Sequence, residues 1–510
     1  MKKICLLSKQ EFEVSEMEQK ALKSMGLNDP VFSPKMREVM RLAFRNERNL
    51  KLRKCDATGE TMLSIYGADS PFPVYKHEYW VTDKWEAPKI EYDFDKSFFD
   101  QYAELSKITP RVNGFSPYNE NCDYVNAAEK NKNCYMHILS DRSEDCLYTH
   151  GIFACKDCID SAFIISCELC YECTDCRNSY HCRACFLCDN SSELNFCFDM
   201  RGCQSCFFCN GLRNQKYCYF NRQLTREEYE KKMMEINYGS YRAFEELEAR
   251  FFEEIMERAE YVRMINNENS DGNFLINTKN CHNCYDVENA EDCNYLRVGS
   301  NHLKDVHHSH AIVDGSELIV GNVSTTESYN CHNVIGCWTC KGCCYGEFLQ
   351  SCQDCIGCIS LRYKKYCVFN KQYSKEEYEK IKKHIIEELG EYWGSPLPLK
   401  LSPLTYQESA FRDYSSLTKE EVTAIGWKYG EEEKFKKGNN PAASTIPDDI
   451  EEFDEANIGK VFECAVSTRP FKIIRQEYNL LKKIGAPLPR KNHEIRFQDR
   501  IEFRKRAQKN

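Results

Sequence analysis

The residues of this sequence best suited to chemistry are its cysteines, which recur in CxxC and CxxCxxC runs. The chain has 32 cysteines among 510 residues. Thiolates at this spacing are typical of structural zinc sites and of redox-active dithiols. Zinc is therefore the candidate cofactor. The candidate metal ligands are Cys155, Cys158, Cys167, Cys170, Cys173, Cys176, Cys182, Cys185, Cys188, Cys203, Cys206, Cys209, Cys352, Cys355 and Cys358.

The same spacing also has a geometric explanation. All seventeen cysteines between Cys122 and Cys218 are separated by multiples of three residues, and eight of nine successive twelve-residue units have cysteine at their second position. The other positions at three-residue steps hold mostly small or apolar residues. A helix would repeat about every 3.6 residues and a strand about every two. The pattern instead predicts a narrow β-solenoid, with coils of twelve residues stacked about 4.8 Å apart and a side chain pointing inward at every third position.

Within such coils, CxxC arises wherever two successive inward positions are cysteine. Three interpretations of the thiols stay open: a packed ladder of reduced thiols, zinc held by three or four neighbouring thiolates, and disulfide cross-bracing. The coil pattern resembles the twelve-residue solenoids of insect antifreeze proteins. The flat threonine ladder that those proteins present to ice is absent, so their activity does not carry over.

A second array repeats the unit after the first. The segment CQSCFFCNGLRNQKYCYFNRQLTREEYEKK from Cys203 matches CQDCIGCISLRYKKYCVFNKQYSKEEYEKI from Cys352, which indicates a tandem duplication at an offset of 149 residues. Each array is followed by a predicted helix that can cover the open edge of the last coil. The capping boxes that predict these helices are Thr225 with Glu228 and Ser374 with Glu377.

Two coils of the second array lack cysteine and carry other reactive residue types. If the register of Cys293 continued, the inward residues would form a metal or acid/base cluster of His302, Asp305, His308, Asp314 and Glu317. A register shifted by one residue places small and apolar residues inside instead: Leu303, Val306, Ser309, Ile312, Gly315 and Leu318. A two-residue insertion before Cys331 shows that the register slips here, which favours the shifted register. An enzyme using residues 302–317 is the least favoured function.

The first and last 45 or so residues are copies of one module at an offset of 459 residues, with Cys5 matching Cys464 and Glu18 matching Glu477. The remaining positions of two CxxC pairs hold other residues, namely Ser8, Ser33 and Met36 in the first copy and Ser467, Asn492 and Ile495 in the second. The module therefore looks like a four-cysteine zinc finger that retains one ligand of four and no longer binds zinc.

A basic stripe follows each module, because arginines at i, i+4 and i+8 share one face of a predicted helix. Such a stripe behind a zinc-finger-like fold is a common way to contact phosphate backbones. The alternative is a solvated helix whose charges pair with the acidic segment 448–455. The candidate nucleic-acid-binding residues are Arg37, Arg41, Arg45, Arg48, Arg496, Arg500 and Arg504.

Composition and length point to a multidomain protein outside the membrane. The formal net charge is −10, no stretch approaches the length of a membrane span, and the apolar run near the N-terminus is too short for a signal peptide. We therefore expect a cytoplasmic protein with reduced thiols. The predicted segments are 1–60 (degenerate zinc-finger-like module with basic helix), 61–112 (connecting α/β segment), 113–222 (first solenoid), 223–270 (helical linker), 271–371 (second solenoid), 372–440 (helical segment) and 441–510 (acidic linker and second module).

Several motifs along the whole length are similar to those of an uncharacterised family of bacterial cysteine-repeat proteins. They are FRNERNLKLRKCDATGE, SPFPVYKHEYWVTDKW, the NCY and EDCLY coils, KKYCVFNKQYSKEEYEK and FKIIRQEYNLLKKIGAPLPR. The resemblance implies CxxC-rich twelve-residue repeats between zinc-finger-like terminal modules, and it implies no particular activity. Members of that family often keep cysteine at the positions of Ser8, Ser33 and Met36.

No P-loop, Rossmann glycine motif, nucleophile elbow or HExxH occurs in the chain. We predict an α+β multidomain fold and a non-enzymatic cytosolic binding scaffold. Its solenoids would be rigid spacers or docking surfaces for a protein, and its basic modules would contact RNA, another nucleic acid or a ribonucleoprotein. The alternatives are a thiol-rich protein that stores or senses zinc, and an enzyme.

Overall fold

The computed structural model describes residues 1–414, 416–431 and 440–507. Parts of the predicted segments 372–440 and 441–510 therefore lie outside the described residues. The described chain is a mixed α/β protein with eleven α-helices and mostly parallel sheets. It divides into two compact units that cut across the linear order of the predicted segments: unit 1 combines Met1–Gly114 with Val262–Glu432, and unit 2 combines Phe115–Tyr261 with Glu433–Asn510.

Each unit contains one cysteine array, in which successive coils pair in parallel. We call residues 120–223 the first ladder and residues 264–372 the second ladder. In the first ladder each residue pairs with the residue twelve positions later, as Cys185 does with Cys197 and Cys206 with Cys218. Its strands are β7 (Asn126–Glu129), β8 (Tyr135–Asp141), β9 (Leu147–His150), β10 (Arg183–Phe186), β11 (Ser192–Phe198), β12 (Gln204–Phe207), β13 (Lys216–Tyr219) and β14 (Arg222–Gln223).

The second ladder includes a sheet of eleven strands and closes with a sheet of three. Its strands are β15 (Met264–Ile265), β16 (Gly272–Lys279), β17 (Cys284–Glu291), β18 (Arg297–Ser300), β19 (Leu303–His307), β20 (His310–Val313), β21 (Glu317–Val320), β22 (Val323–Thr326), β23 (Tyr329–His332), β24 (Ile335–Trp338), β25 (Glu347–Gln350), β26 (Gln353–Ile356), β27 (Lys365–Val368) and β28 (Lys371–Gln372).

The three-residue period follows from the backbone of the coils. Along much of the ladders every third residue is left-handed, as at Asp157, Asp160 and Phe163, with φ of 52°, 49° and 55°. This conformation is unfavourable for residues other than glycine. Hydrogen bonds between coils offset the cost: the N–H of Ile159 donates to Cys170 O at 2.9 Å, and the N–H of Asp160 donates to Leu147 O at 3.1 Å. Each left-handed residue turns the chain, so an inward side chain recurs every three residues.

Inward cysteines satisfy backbone groups inside the narrow core. The thiol of Cys158 donates to Lys156 O at 3.2 Å and lies 3.5 Å from Cys167 O. The thiol of Cys155 accepts the N–H of Cys167 at 3.4 Å. All 32 cysteines are unbridged, and Cys122 is the one that is not buried. A cysteine here serves as a small apolar residue that is also a hydrogen-bond donor and acceptor.

The coils without cysteine follow the shifted register for four positions and then slip again. Leu303, Val306 and Ile312 lie in the core, and Ser309 is fully buried. Ser316 and Ile319 then point inward, so the prediction for Gly315 and Leu318 was wrong. Strand pairs in this region are offset by thirteen residues, as in Arg297 with His310 and His310 with Val323. The two-residue insertion is therefore divided between two coils of thirteen residues.

Both ladders end in a helix, as the sequence predicted, and an antiparallel hairpin that it did not predict precedes each helix. β14 pairs with β13, and β28 pairs with β27. Both capping boxes are confirmed. The helices that follow the ladders are α5 (Arg226–Met233) and α6 (Tyr241–Glu254) in unit 2, and α7 (Lys375–Leu389), α8 (Phe411–Tyr414) and α9 (Lys419–Ala424) in unit 1.

The terminal modules share one order of elements, an antiparallel hairpin followed by two helices. The first contains β1 (Lys2–Ile4), β2 (Glu11–Glu13), α1 (Glu16–Ser24) and α2 (Pro34–Leu42); the second contains β29 (Val461–Glu463), β30 (Pro470–Lys472), α10 (Arg475–Ile484) and α11 (His493–Ala507). The connecting segment of unit 1 contains β3 (Lys51–Lys54), β4 (Thr61–Ser64), β5 (Val74–Tyr75), α3 (His77–Trp80), α4 (Phe98–Ile108) and β6 (Arg111–Val112). Across the described residues, no helix combines the length and the apolar character needed to cross a membrane.

Candidate functional site

In unit 2, the arginine face of α11 lies against the first ladder. Arg496 pairs with Asp160 and, at 3.1 Å, with Glu477. Each of the next two arginines binds a ladder carboxylate through two hydrogen bonds. The pairs are Arg500 with Glu172 at 2.9 and 3.0 Å, and Arg504 with Asp175 at 2.7 and 2.8 Å. The stripe that the sequence predicted to contact phosphate is thus used here to dock the helix on carboxylates.

The ladder presents these carboxylates because of its period. Asp160, Glu172 and Asp175 each stand two residues after an inward cysteine, at a left-handed position. The first two are one coil apart, at an offset of twelve residues. A side chain at this position points away from the core, so the carboxylates form a group on the outside of one edge of the ladder.

In unit 1, the arginine face of α2 lies against the second ladder in the same manner. Arg37 donates to Glu18 at 2.5 Å, and the imidazole Nε2 of His308 lies 2.7 Å from the same carboxylate oxygen. Arg45 contacts Ser324 of the ladder. All of these side chains except Ser324 are buried, so this interface holds charged groups without access to solvent.

The duplication shows which residues correspond between the two interfaces. Counting coils back from Cys182 and its match Cys331, His308 stands in the place of Asp160, Gly321 in that of Glu172, and Ser324 in that of Asp175. Because glycine replaces a carboxylate, Arg41 has no ladder partner. Its Nε and Nη1 lack acceptors, and burial lowers its pKa to about 9.

The predicted nucleic-acid-binding residues are therefore mostly inside the protein. Arg37, Arg41, Arg45, Arg496, Arg500 and Arg504 are each 8% exposed or less. Arg48 is partly buried and also has an interaction partner. Nucleic-acid binding through this stripe stays a prediction, and it requires α2 and α11 to leave the ladders. The predicted pairing of the stripe with the acidic segment 448–455 does not describe Arg496, Arg500 or Arg504, whose partners are ladder residues and Glu477.

The structure does not assemble an inward cluster from residues 302–317. His302, Asp314 and Glu317 are exposed, and His308 faces the terminal module. His307, His308 and His310 are buried, and burial lowers their pKa to about 4, 3 and 4. They are therefore neutral near pH 7, and the enzymatic interpretation of this segment gains no support from their arrangement.

The predicted zinc ligands lie in the ladder cores. All fifteen of these cysteines are buried. Within the part of the chain that the structure describes, no group of three or more His, Cys, Asp or Glu residues is arranged to hold a metal ion. The thiols lie in hydrogen-bonded ladders such as that around Cys158, and zinc binding by them stays a prediction.

The terminal modules bring three of the four predicted zinc-finger positions together, since Ser8 and Ser33 lie beside Cys5, and Ser467 and Asn492 lie beside Cys464. The N–H of Asn492 donates to the sulfur of Cys464 at 3.2 Å. Burial raises the pKa of Cys5, but hydrogen bonds from the Ser8 hydroxyl and from the backbone of Ser33 outweigh it and lower the pKa to about 7. A hydroxyl and N–H groups thus stabilise the remaining thiol in the place of other ligands.

Sequence reasoning missed a cleft in unit 2 of about 280 Å³, which lies between the first ladder, α6 and the segment 487–500. Its aromatic and charged residues come from three distant parts of the chain. The one signal in the sequence is the face of α6, where Tyr241, Phe244, Glu248 and Phe252 recur at helical spacing.

Comparisons with known proteins do not assign this chain to a family. No family model matches the chain, and no curated protein matches it. A solved structure named "putative acetyltransferase from Desulfovibrio desulfuricans G20" aligns over 51% of this chain and 71% of its own, with 10% sequence identity and a TM-score of 0.11. A TM-score this low carries no argument about fold or activity.

Proposed function

We propose that the protein is a non-enzymatic binding scaffold, in which both ladders are narrow β-solenoids with reduced-thiol cores and each is clamped by a degenerate zinc-finger-like module. The observation that carries this proposal is that each terminal module buries charged side chains against its ladder: Glu18 against His308 in unit 1, and Arg496 and Arg500 against Asp160 and Glu172 in unit 2. Buried and unbridged thiols with carbonyl partners are poorly placed for catalysis, because a reactive thiol needs access to solvent.

The duplication also supports a structural role for the modules. A ladder of identical coils has no long-range contacts within itself, so each coil is held mainly by its neighbours. A helix that spans several coils and pairs with carboxylates on more than one of them ties those coils together. Arg496 and Arg500 do this through Asp160 and Glu172, which stand on adjacent coils.

Amide hydrogen exchange of the intact protein under reducing conditions tests the clamp. We expect α11 to exchange as slowly as coils 157–176, and Glu172→Gln with Asp160→Asn to speed exchange in both segments together. A matched control is Glu168→Gln, because Glu168 is exposed on the same coil. Faster exchange in α11 alone would contradict the clamp.

Metal analysis separates the scaffold from the thiol-rich zinc protein. For protein purified under reducing conditions, the scaffold predicts less than one zinc per chain. A stoichiometry of one or more, lost together with folding on chelation, would favour zinc storage or sensing.

A further inference from the structure

The cleft of about 280 Å³ in unit 2 has one apolar wall. Tyr171 and Phe186 reach it from adjacent coils of the first ladder, and Phe244 and Phe252 reach it from α6. The ring centroids of Tyr171 and Phe244 are 5.3 Å apart, and those of Phe186 and Phe252 are 5.8 Å apart. Pockets for small ligands are usually lined in this way, by aromatic side chains with a few polar groups that fix the orientation.

Most charged groups around the cleft are already paired. Lys491 donates to Asp499 at 2.8 Å, and Arg500 binds Glu172. Each charge in these pairs has an ion-pair partner, although Arg500 Nε and Nη2 and Arg496 Nε have no hydrogen-bond acceptor among the described residues. The pairs also fix the segment 490–500 against the ladder, so the remaining charged groups are held in place.

Two groups of opposite charge are left over. Glu248 has neither a hydrogen-bond donor nor an ion-pair partner among the described residues. Arg490 is 7% exposed and stacks on the Tyr241 ring at 5.0 Å. Its Nη2 donates to Pro447 O at 2.6 Å, but its Nη1 has no acceptor among the described residues. An unsatisfied buried donor costs stability, so a ligand that supplies the acceptor would gain that free energy.

The pKa shifts of Glu248 and Arg490 both show that burial disfavours the charged form. Burial raises the pKa of Glu248 to about 7, with a further increase from Asp499 and Glu245 that Lys491 and Arg500 oppose. Burial lowers the pKa of Arg490. Each ion is therefore under-stabilised in the free protein, and a ligand of opposite charge beside it would stabilise it.

We propose that this cleft binds a free α-amino acid with an aromatic or aliphatic side chain. The carboxylate of the ligand accepts from Arg490, its ammonium group donates to Glu248, and its side chain packs against Tyr171, Phe186, Phe244 and Phe252. A zwitterion fits because Arg490 is a cation and Glu248 an anion without an ion-pair partner among the described residues. The other unpaired carboxylate of the cleft, Glu245, accepts from the Tyr241 hydroxyl at 3.0 Å. The site goes beyond the scaffold role, and it shares the docking pairs of α11, which hold segment 490–500 against the ladder.

Isothermal titration calorimetry of the full-length protein with L-phenylalanine tests the proposal. We expect one site per chain. Phenethylamine, which lacks the carboxylate, and 3-phenylpropionate, which lacks the ammonium group, should each bind at least about tenfold more weakly. Arg490→Met and Glu248→Gln should weaken L-phenylalanine binding by a similar factor. Glu246→Gln is the matched control on the exposed face of α6 and should bind like the unmodified protein.

Circular dichroism of each variant confirms folding before titration. Two results would overturn the proposal: no heat from L-phenylalanine at millimolar concentration with folded protein, or phenethylamine binding as tightly as L-phenylalanine. The second result would show a simple cation site. Slow exchange of α11 is measured without any ligand, so failure of the titration leaves the scaffold standing. If the exchange experiment fails while L-phenylalanine binds the unmodified protein, the site stands and the clamp alone is wrong.

Discussion

At the scale of single residues, cysteine is selected in the ladders for properties that serine and alanine share only in part. Inward residues are mostly small or apolar, and many of them also donate to a carbonyl or accept an N–H from the next coil. Ser161 accepts the N–H of Cys173 at 3.2 Å, so a hydroxyl performs the same task. A cysteine sulfur accepts in the same way and also makes more apolar contact, which stabilises a narrow core. Spacing that looks like metal chemistry therefore arises from packing.

The two buried arginine rows provide a matched pair of substitutions. Arg496→Met leaves Glu477 buried without its cation and Asp160 with Arg500 alone, and we expect unit 2 to lose about 3–5 kcal/mol of unfolding free energy. Arg41→Met removes a buried cation that lacks a ladder partner, and we expect a change in unit 1 within about 1 kcal/mol, or a gain. Urea unfolding followed by hydrogen exchange of each unit measures both. A large loss for Arg41→Met would mean that Arg41 has a stabilising partner.

The zinc-finger-like prediction for the terminal modules can be tested by adding thiols. The thiol of Cys464 accepts the N–H of Asn492 and lies beside Ser467, so two of the three substituted positions are next to it, and Ile495 is the third predicted position. We expect the variant S467C/N492C/I495C to bind one zinc per chain, measured by elemental analysis after dialysis. Adding Cys464→Ser should abolish that zinc. If the triple variant takes up no zinc, the module does not have the geometry of a four-cysteine site.

At the scale of elements, the coil is the unit that can be removed. Deleting residues 133–144 takes out twelve residues and keeps every later inward position inward. Deleting residues 133–143 shifts the register at the junction and turns Cys122 and its neighbours away from the core. We expect the first deletion to fold with a slightly lower thermal midpoint by circular dichroism, and the second to expose thiols to alkylation. Equal behaviour of the two would contradict the three-residue period.

The docked helices also sharpen the nucleic-acid prediction. If α11 can leave the ladder, its arginines exchange ladder carboxylates for phosphates. Fluorescence anisotropy of a labelled single-stranded RNA at low salt should then show at least about tenfold tighter binding for D160N/E172Q/D175N than for the unmodified protein, and binding should weaken as salt rises. Equal or absent binding by both would remove the arginine stripe as a nucleic-acid surface.

At the scale of the whole molecule, each unit is built from segments far apart in sequence. The buried pairs of Arg496, Arg500 and Arg504 join residues that are more than 300 positions apart. We expect fragments 115–261 and 440–510, expressed as separate chains, to co-purify as a one-to-one complex. Introducing Arg496→Glu and Arg500→Glu should abolish this, because each glutamate would face a ladder carboxylate. Co-purification that survives both changes would show that the pairs do not hold the unit together.

Much of the fold could be predicted from local periodicity in the sequence. The three-residue period determined the inward positions of the first ladder, and the capping boxes determined the helix starts at Thr225 and Ser374, because both depend on residues within a coil or a turn. The shifted register held from Leu303 to Ile312. It failed at Gly315 because the sequence shows only that two residues are inserted before Cys331. Strand pairing decides which coil holds each of the two extra residues.

The candidate sites were determined by tertiary structure. The sequence predicted that the arginines share one helical face. Their spacing along the helix is the same whether they bind phosphates or carboxylates. In the structure these arginines contact Asp160, Glu172 and Asp175, and contact with phosphate stays a prediction. The sequence likewise predicted that the cysteines point inward. Their contacts with carbonyl groups are visible only in the structure, because some of these carbonyls belong to the neighbouring coil. The proposed amino-acid cleft is lined by Tyr171, Glu248 and Arg490, which come from three distant segments of the chain. No local sequence pattern predicts this site, because it depends on how separate elements pack.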